Sequence, residues 1–147
     1  MAVADPLKHA LKALGFSDAQ LWGDLKDVVD ERWGTTPRGE LQAFGDYCRK
    51  RYGPEFLARL ALERFDQLPE DTDLVLFADV RFAPEADVVH KLGGKVWRVD
   101  RPAKKLKGLA AAHVSEQPLP ERLVDLVVRN DGTLEEYVEA VRERAQV

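Results

Sequence analysis

Two acid–base pairs stand out in this 147-residue chain, Asp79 with Arg81 and Asp100 with Arg101. Each follows a short apolar run, Leu74–Ala78 before Asp79 and Lys95–Val99 before Asp100. In open parallel sheets ligands sit just outside the carboxyl ends of the strands, so both pairs stand where a site is expected. A salt-bridged turn would use the same residues. Position favours a site at Asp79 and Arg81. Further cations follow, at Lys95, Arg98, Arg101, Lys104, Lys105 and Lys107. Such a run is most often a solvated charged loop. Arg38, after Thr36-Pro37, carries a guanidinium fork that suits phosphate, yet by itself reads as an ordinary solvated arginine. His9 and His90 fall inside helices without partner spacing. Three histidines and one cysteine offer no metal-ligand pattern.

The elements that must position these groups are legible in outline. Leu74–Ala78 reads as a strand buried on both faces of a parallel sheet. Pro84 opens a short helix and Gly93 closes it, and Lys95–Val99 is a second strand. This is a βαβ unit with a right-handed crossover. At the amino end, Asp5 caps a helix with Pro6 in its first turn and Leu7, Ala10, Leu11 and Leu14 on one face. Ser17 with Gln20 is a capping box for a short helix bearing Leu21 and Trp22. Residues 24–35 form a surface excursion. Thr36-Pro37 starts a helix with Leu41, Phe44 and Cys48 inward and Arg49, Lys50 and Arg51 at its negative end. Gly53-Pro54 breaks it, and Phe56, Leu57, Leu60 and Phe65 mark the next. Leu126–Val128 is a third strand, stopped by Asn130-Asp131-Gly132. Thr133 with Glu136 caps a terminal helix whose inward face is Leu134, Tyr137, Val138 and Val141.

Length and composition fit one globular domain with a real core. No apolar run is long enough to span a membrane, and no signal segment is visible. A single cysteine, Cys48, fits a reducing cytoplasm. The formal charge of −4 argues against a general nucleic-acid binder.

Ala4-Asp5-Pro6-Leu7-Lys8, Thr36-Pro37-Arg38 with Leu41-Gln42, Asp79-Val80-Arg81-Phe82 with Glu85, Gly93-Gly94, Arg98 with Arg101-Pro102, His113-Val114-Ser115-Glu116, and Asn130-Asp131-Gly132-Thr133-Leu134 occur in this order. As an ordered set they resemble the phage-type deoxynucleoside monophosphate kinases, which are P-loop proteins. The resemblance covers nearly the whole chain. Members of that family begin with a strand, a phosphate-binding loop G-x-x-x-x-G-K-[ST] and a helix, then a second strand leading into Ala-Asp-Pro-Leu. Here Met1 stands just before that motif, and the loop does not occur in the sequence. Gly93-Gly94-Lys95 is no substitute, because it joins helix to strand, whereas a phosphate cradle runs from strand to helix. Two further departures are Ala111, where the family has an acid two residues before the histidine, and Pro84, where it has asparagine before Glu85.

The resemblance implies a truncated, three-layer, P-loop-kinase-like α/β fold over residues 1–147, with a small parallel sheet flanked by helices. Residues 24–68 would be a helical acceptor-site insertion and 101–116 a basic, lid-like segment. It implies catalytic roles for Asp79, Arg98 and Arg101. Arg38, Gln42, Arg81, Glu85, His113, Ser115 and Glu116 would bind a deoxynucleoside monophosphate. No metal site is implied by the residues present, and magnesium and ATP enter only with a phosphate-binding loop supplied in trans. The family's first strand lies between those matching Asp73–Ala78 and Lys95–Val99. In its absence these two are expected to pair directly, giving three parallel strands in chain order with edges covered by helices or by dimerisation. Three readings stay open: a nucleotide-binding domain impaired in catalysis, a working kinase completed by another chain or a missed start, and a non-catalytic interaction protein. All place the protein in a phage-encoded or bacterial cytoplasm, away from membranes and nucleic acid.

Overall fold

A computed structural model describes residues 1–101 and 113–145. Lys104, Lys105, Lys107 and Ala111, and with them most of the expected lid, lie outside the described residues. Helices α1 (Asp5–Ala13), α2 (Asp18–Leu21), α3 (Pro37–Tyr52), α4 (Phe56–Asp66) and α5 (Ala83–Lys91) precede strand β1 (Trp97–Asp100). Strand β2 (Leu126–Arg129) and helix α6 (Leu134–Ala145) close the order, with short 3₁₀ turns at Leu25–Asp27, Val114–Glu116 and Glu121–Leu123. Among the described residues no helix is long and apolar enough to cross a membrane.

The local signals did their work where capping is local. Ser17 and Gln20 form a reciprocal capping box, as do Thr133 and Glu136. Thr36 Oγ1 accepts the Gly39 N–H at 3.1 Å, Pro37 opens α3, and Gly53 at φ 102° ends it. The core is mainly helical. Val3, Leu7, Cys48, Leu57 and Ala61 pack together, and Leu11, Phe16 and Leu21 form a second cluster; Leu41 and Phe44 lie against both. A third cluster of Ala86, Val96 and Leu123 seats α5 against the sheet.

The sheet corrects the expectation of three strands. β1 and β2 pair in parallel, Trp97 opposite Leu126 through Asp100 opposite Arg129, so the βαβ strand is displaced two residues from Lys95–Val99. Residues 74–78 make no backbone hydrogen bond to it. They pair with the chain's own first residue instead: the Met1 ammonium donates to the Leu76 carbonyl at 2.7 Å, and the Ala78 N–H donates to the Met1 carbonyl at 3.1 Å. Those two bonds, flanking Phe77, have the pattern of a parallel ladder. With one short partner, the run is not enclosed: Phe77 packs on the core, while Leu74 and Leu76 are 68% and 70% exposed.

Three smaller corrections concern the helix ends and faces. Asp5 does not cap α1; Ala4 is the cap residue, and the amides of Val3 and Ala4 donate to Asp79. Leu14 falls beyond the helix and is exposed rather than part of its inner face. Helix α6 has no buried residue, so Leu134 and Val138 do not enter the core.

Candidate functional site

A cavity of about 230 Å³ opens between the start of α1, the face of α3, the turn after residue 78 and the 3₁₀ turn at Val114–Glu116. Helix α3 supplies one wall by simple periodicity. Arg38, Gln42, Gly45 and Arg49 are four, three and four residues apart and line the cavity together. Leu41, Phe44 and Cys48, on the adjoining stripe, face the core. The α1 side adds Val3, Ala4, Leu7 and Lys8, and Lys26 comes from the 3₁₀ turn before α3. Asp79, Arg81, Phe82 and Glu85 form the opposite wall, and His113, Ser115 and Glu116 the rim.

Arg38, Gln42, Asp79, Arg81, Glu85, His113, Ser115 and Glu116, all named from sequence, therefore meet in one place. Arg98 and Arg101 do not. Arg98 pairs with Asp100 and Glu121, and Arg101 lines a separate depression with Val99, Asp100, Arg129 and Asp131. Lys8, Lys26 and Arg49 were missed. Arg49 and Lys26 had signals, helical spacing from Arg38 in the one case and proximity to Thr36 in the other, but only folding shows that both converge on the cavity.

Each cavity arginine is gripped by a carboxylate. Arg38 donates Nε to Asp27 Oδ1 at 2.6 Å and Nη2 to Asp27 Oδ2 at 3.1 Å. Arg49 donates to Asp46 at 2.7 Å, and its guanidinium lies 4.0 Å from the centre of the Phe82 ring. Arg81 donates Nη1 to Glu116 at 2.6 Å and to the Ser115 carbonyl at 3.1 Å. Lys26 has no salt bridge among the described residues. Burial, and then the charges of Lys8, Arg38 and Arg81, push its ammonium below the usual lysine range. Lys8, Lys26, Arg38, Arg49 and Arg81 thus share one cavity with Asp79, Glu85 and Glu116, an arrangement with cations in reach of an anion.

The acids divide by task. Asp79 uses both oxygens on backbone donors, the Val3 N–H at 2.6 Å and the Ala4 N–H at 3.1 Å. Glu85, 5% exposed, accepts the N–H groups of Arg81 at 2.8 Å and Phe82 at 3.1 Å. Burial pushes its carboxyl up, and the two backbone donors only partly oppose this. The Arg38 hydrogen bond holds Asp27 below the usual carboxylate range.

His113 is oriented from two sides. Its Nδ1 accepts the Ser115 N–H at 3.1 Å, so the ring proton sits on Nε2 and is donated to Asp46 Oδ2 at 2.8 Å. A carboxylate from α3 thus steers the histidine, although position 111 carries alanine. Among the described residues no group of three or more His, Cys, Asp or Glu is placed to hold a metal ion.

What this arrangement can do is bind a small anion with an attached apolar or aromatic group, using cations against the charge and Phe82 and Leu57 beside it. Comparison with known proteins points the same way. The family model for deoxynucleotide monophosphate kinase matches residues 24–141. The putative deoxynucleotide monophosphate kinase of Acanthamoeba polyphaga mimivirus is 34% identical over 151 residues, which cover 91% of this chain and 76% of that protein. The deoxynucleotide monophosphate kinase of Enterobacteria phage T4 is 29% identical over 126 residues, 84% of this chain but 50% of the phage protein. With the family model spanning most of its length and a relative this similar along nearly all of it, the chain belongs to the deoxynucleotide monophosphate kinase family.

Proposed function

We propose that this chain binds a deoxynucleoside monophosphate in the α1–α3 cavity and, by itself, transfers phosphate to it poorly or not at all. The observation that carries the binding is the convergence of Lys8, Lys26, Arg38 and Arg81 on one cavity. Arg38 and Arg81 would hold the phosphate, and Phe82 would offer a ring face to the base. Asp79 would act by fixing the start of α1 against the cavity. Poor transfer follows from the chemistry of the reaction, which depends on positioning and charge stabilisation around the transferred group. Without G-x-x-x-x-G-K-[ST] in these 147 residues, the donor phosphates lack their cradle. Arg98 and Arg101, outside the cavity, would reach the reacting phosphates only through a rearrangement. Magnesium and ATP belong to this reading only where a donor segment is supplied.

Calorimetric titration with the four deoxynucleoside 5′-monophosphates tests it. Binding is expected in the millimolar range or tighter, with Arg38→Ala or Arg81→Ala each costing roughly 1.5–3 kcal/mol, the worth of a charge-assisted hydrogen bond. No binding at millimolar ligand would sink the proposal. Turnover on the order of 1 s⁻¹ in a coupled assay, the low end of kinase rates, would sink the claim of impaired transfer.

A second reading is a working kinase completed by another segment. The exposed Leu74, Leu76 and Val99 favour it, since apolar strand residues of this kind are normally covered. The greater length of the phage relative also favours it. Coding sequence upstream of Met1 that carries the phosphate-binding loop in frame would establish it.

A further inference from the structure

The Asp27–Arg38 pair sits at the edge of the cavity in the geometry that a phosphate would use on the same guanidinium. Both carboxylate oxygens are engaged, one by Nε and one by Nη2. That side-on, bidentate fork is one arrangement by which arginine takes carboxylate or phosphate. We propose that Asp27 is an internal competitor for the anion: it occupies Arg38 while the cavity is empty and leaves when a phosphate dianion arrives. The inference rests on the reading of the cavity as a monophosphate site, and it adds an internal competitor that lowers the apparent affinity of any anion that takes Arg38.

The segment around Asp27 is built to be released. The 3₁₀ turn Leu25–Asp27 buries none of its residues, and Leu25, Val28 and Val29 are all exposed. Among the described residues, side-chain hydrogen bonds from 24–29 to the rest of the molecule run through Asp27 to Arg38 alone. The base of the excursion is anchored separately. Asp30 is buried, its N–H donates to the Thr35 carbonyl at 2.9 Å, and its carboxylate accepts from Gln20 at 2.8 Å and from Arg32. Releasing Asp27 therefore leaves that base in place. The Asp27 side chain is 57% exposed against 22% for Arg38, so the acid returns to water cheaply while the arginine stays at the cavity. Lys26, the preceding residue, already lines the cavity and is free to follow the ligand's charge. A phosphate monoester, with up to two charges near neutral pH, outweighs the single carboxylate and displaces it.

The test compares wild type with Asp27→Asn, Asp27→Ala and Asp24→Asn by calorimetry. The probes are the four deoxynucleoside 5′-monophosphates and their monoanionic 5′-methylphosphate esters. Asp24 lies in the same exposed segment and controls for the general loss of a negative charge. Both Asp27 variants are expected to bind the monophosphates roughly two- to fivefold tighter, the scale of an exposed ion pair removed as a competitor. They should gain by a similar factor for the methyl esters, because the same Asp27–Arg38 pair is displaced in each case, while Asp24→Asn stays close to wild type. Weaker binding by the Asp27 variants would overturn the proposal and make Asp27 a positioning residue for Arg38. Unchanged binding, or an equal gain in Asp24→Asn, would also overturn it. Absence of binding in every form would remove the monophosphate reading itself, a different result from wild-type binding without a gain in the variants.

Discussion

Glu85 carries a carboxylate in a place that favours its neutral form. Burial raises its pKa, and nearby Asp79 pushes in the same direction. The sign of the linkage follows: its contribution to stability is full below its unfolded-state pKa and is lost as pH rises through the raised folded-state value. Asp5 and Asp46 run the other way. In both, burial raises the pKa but is outweighed, by the Ala2 N–H and Arg64 at Asp5, and by Arg49 and His113 at Asp46. Their contributions are present above the unfolded-state pKa and fade as pH falls through the depressed folded-state values. Glu85→Gln keeps an acceptor for the Arg81 and Phe82 amides but cannot ionise. Its stability relative to wild type should therefore improve from about pH 4 to about pH 8, either side of the carboxylate range. Glu85→Ala removes the acceptor and should cost roughly 1–3 kcal/mol at either pH. Urea unfolding measures both; a pH-independent difference between wild type and Glu85→Gln would contradict the assignment.

At the scale of elements, α3 was legible and residues 74–78 were not. The reason is where each keeps its determinants. Thr36, Pro37 and Gly53 act within a few residues of the helix ends they define, so sequence exposes them. The partner of Phe77 is Met1, and no periodicity in either segment announces it. The site divides in the same way. Arg38, Gln42, Asp79, Arg81, Glu85, His113, Ser115 and Glu116 were visible through family motifs, and the fold gathers them. Asp27 and Asp46, which hold Arg38 and His113, are unremarkable in sequence and matter only by approach. Asp79 joins the two levels, a motif residue whose oxygens hold the start of α1. Asp79→Ala should destabilise by roughly 1–3 kcal/mol, as loss of the acceptor for part-buried backbone N–H groups does, and should weaken monophosphate binding as well. Denaturant unfolding with a parallel titration checks this. Full retention of both properties would show that Asp79 organises nothing.

Across the whole molecule, charge and apolar surface are distributed unevenly. The chain is acidic overall, yet its cavity is ringed by cations. Parallel sheets are usually covered on both faces, and here, among the described residues, a two-stranded sheet leaves Val99 and Val127 exposed, and Leu74 and Leu76 are open as well. Such edges invite association. The purified chain is expected to self-associate with rising concentration in sedimentation experiments. Leu76→Lys should reduce this without lowering the melting temperature, because Leu76 has little burial to lose. Concentration-independent behaviour of wild type would count against an adhesive edge.

The contacts of Met1, Val3 and Ala4 with Leu76, Ala78 and Asp79 join segments about 75 positions apart, which is half the chain. They close a loop that has to be ordered before the cavity has its α1 wall, and closure entropy grows with the logarithm of loop length. Non-local contacts of this kind slow folding. The α1 wall of the cavity is therefore expected to form late in folding. A bound monophosphate, by holding Lys8 and Arg81 to one group, would keep this amino-terminal clasp shut, and the slowed exchange of the Val3 and Ala4 amide hydrogens would record it.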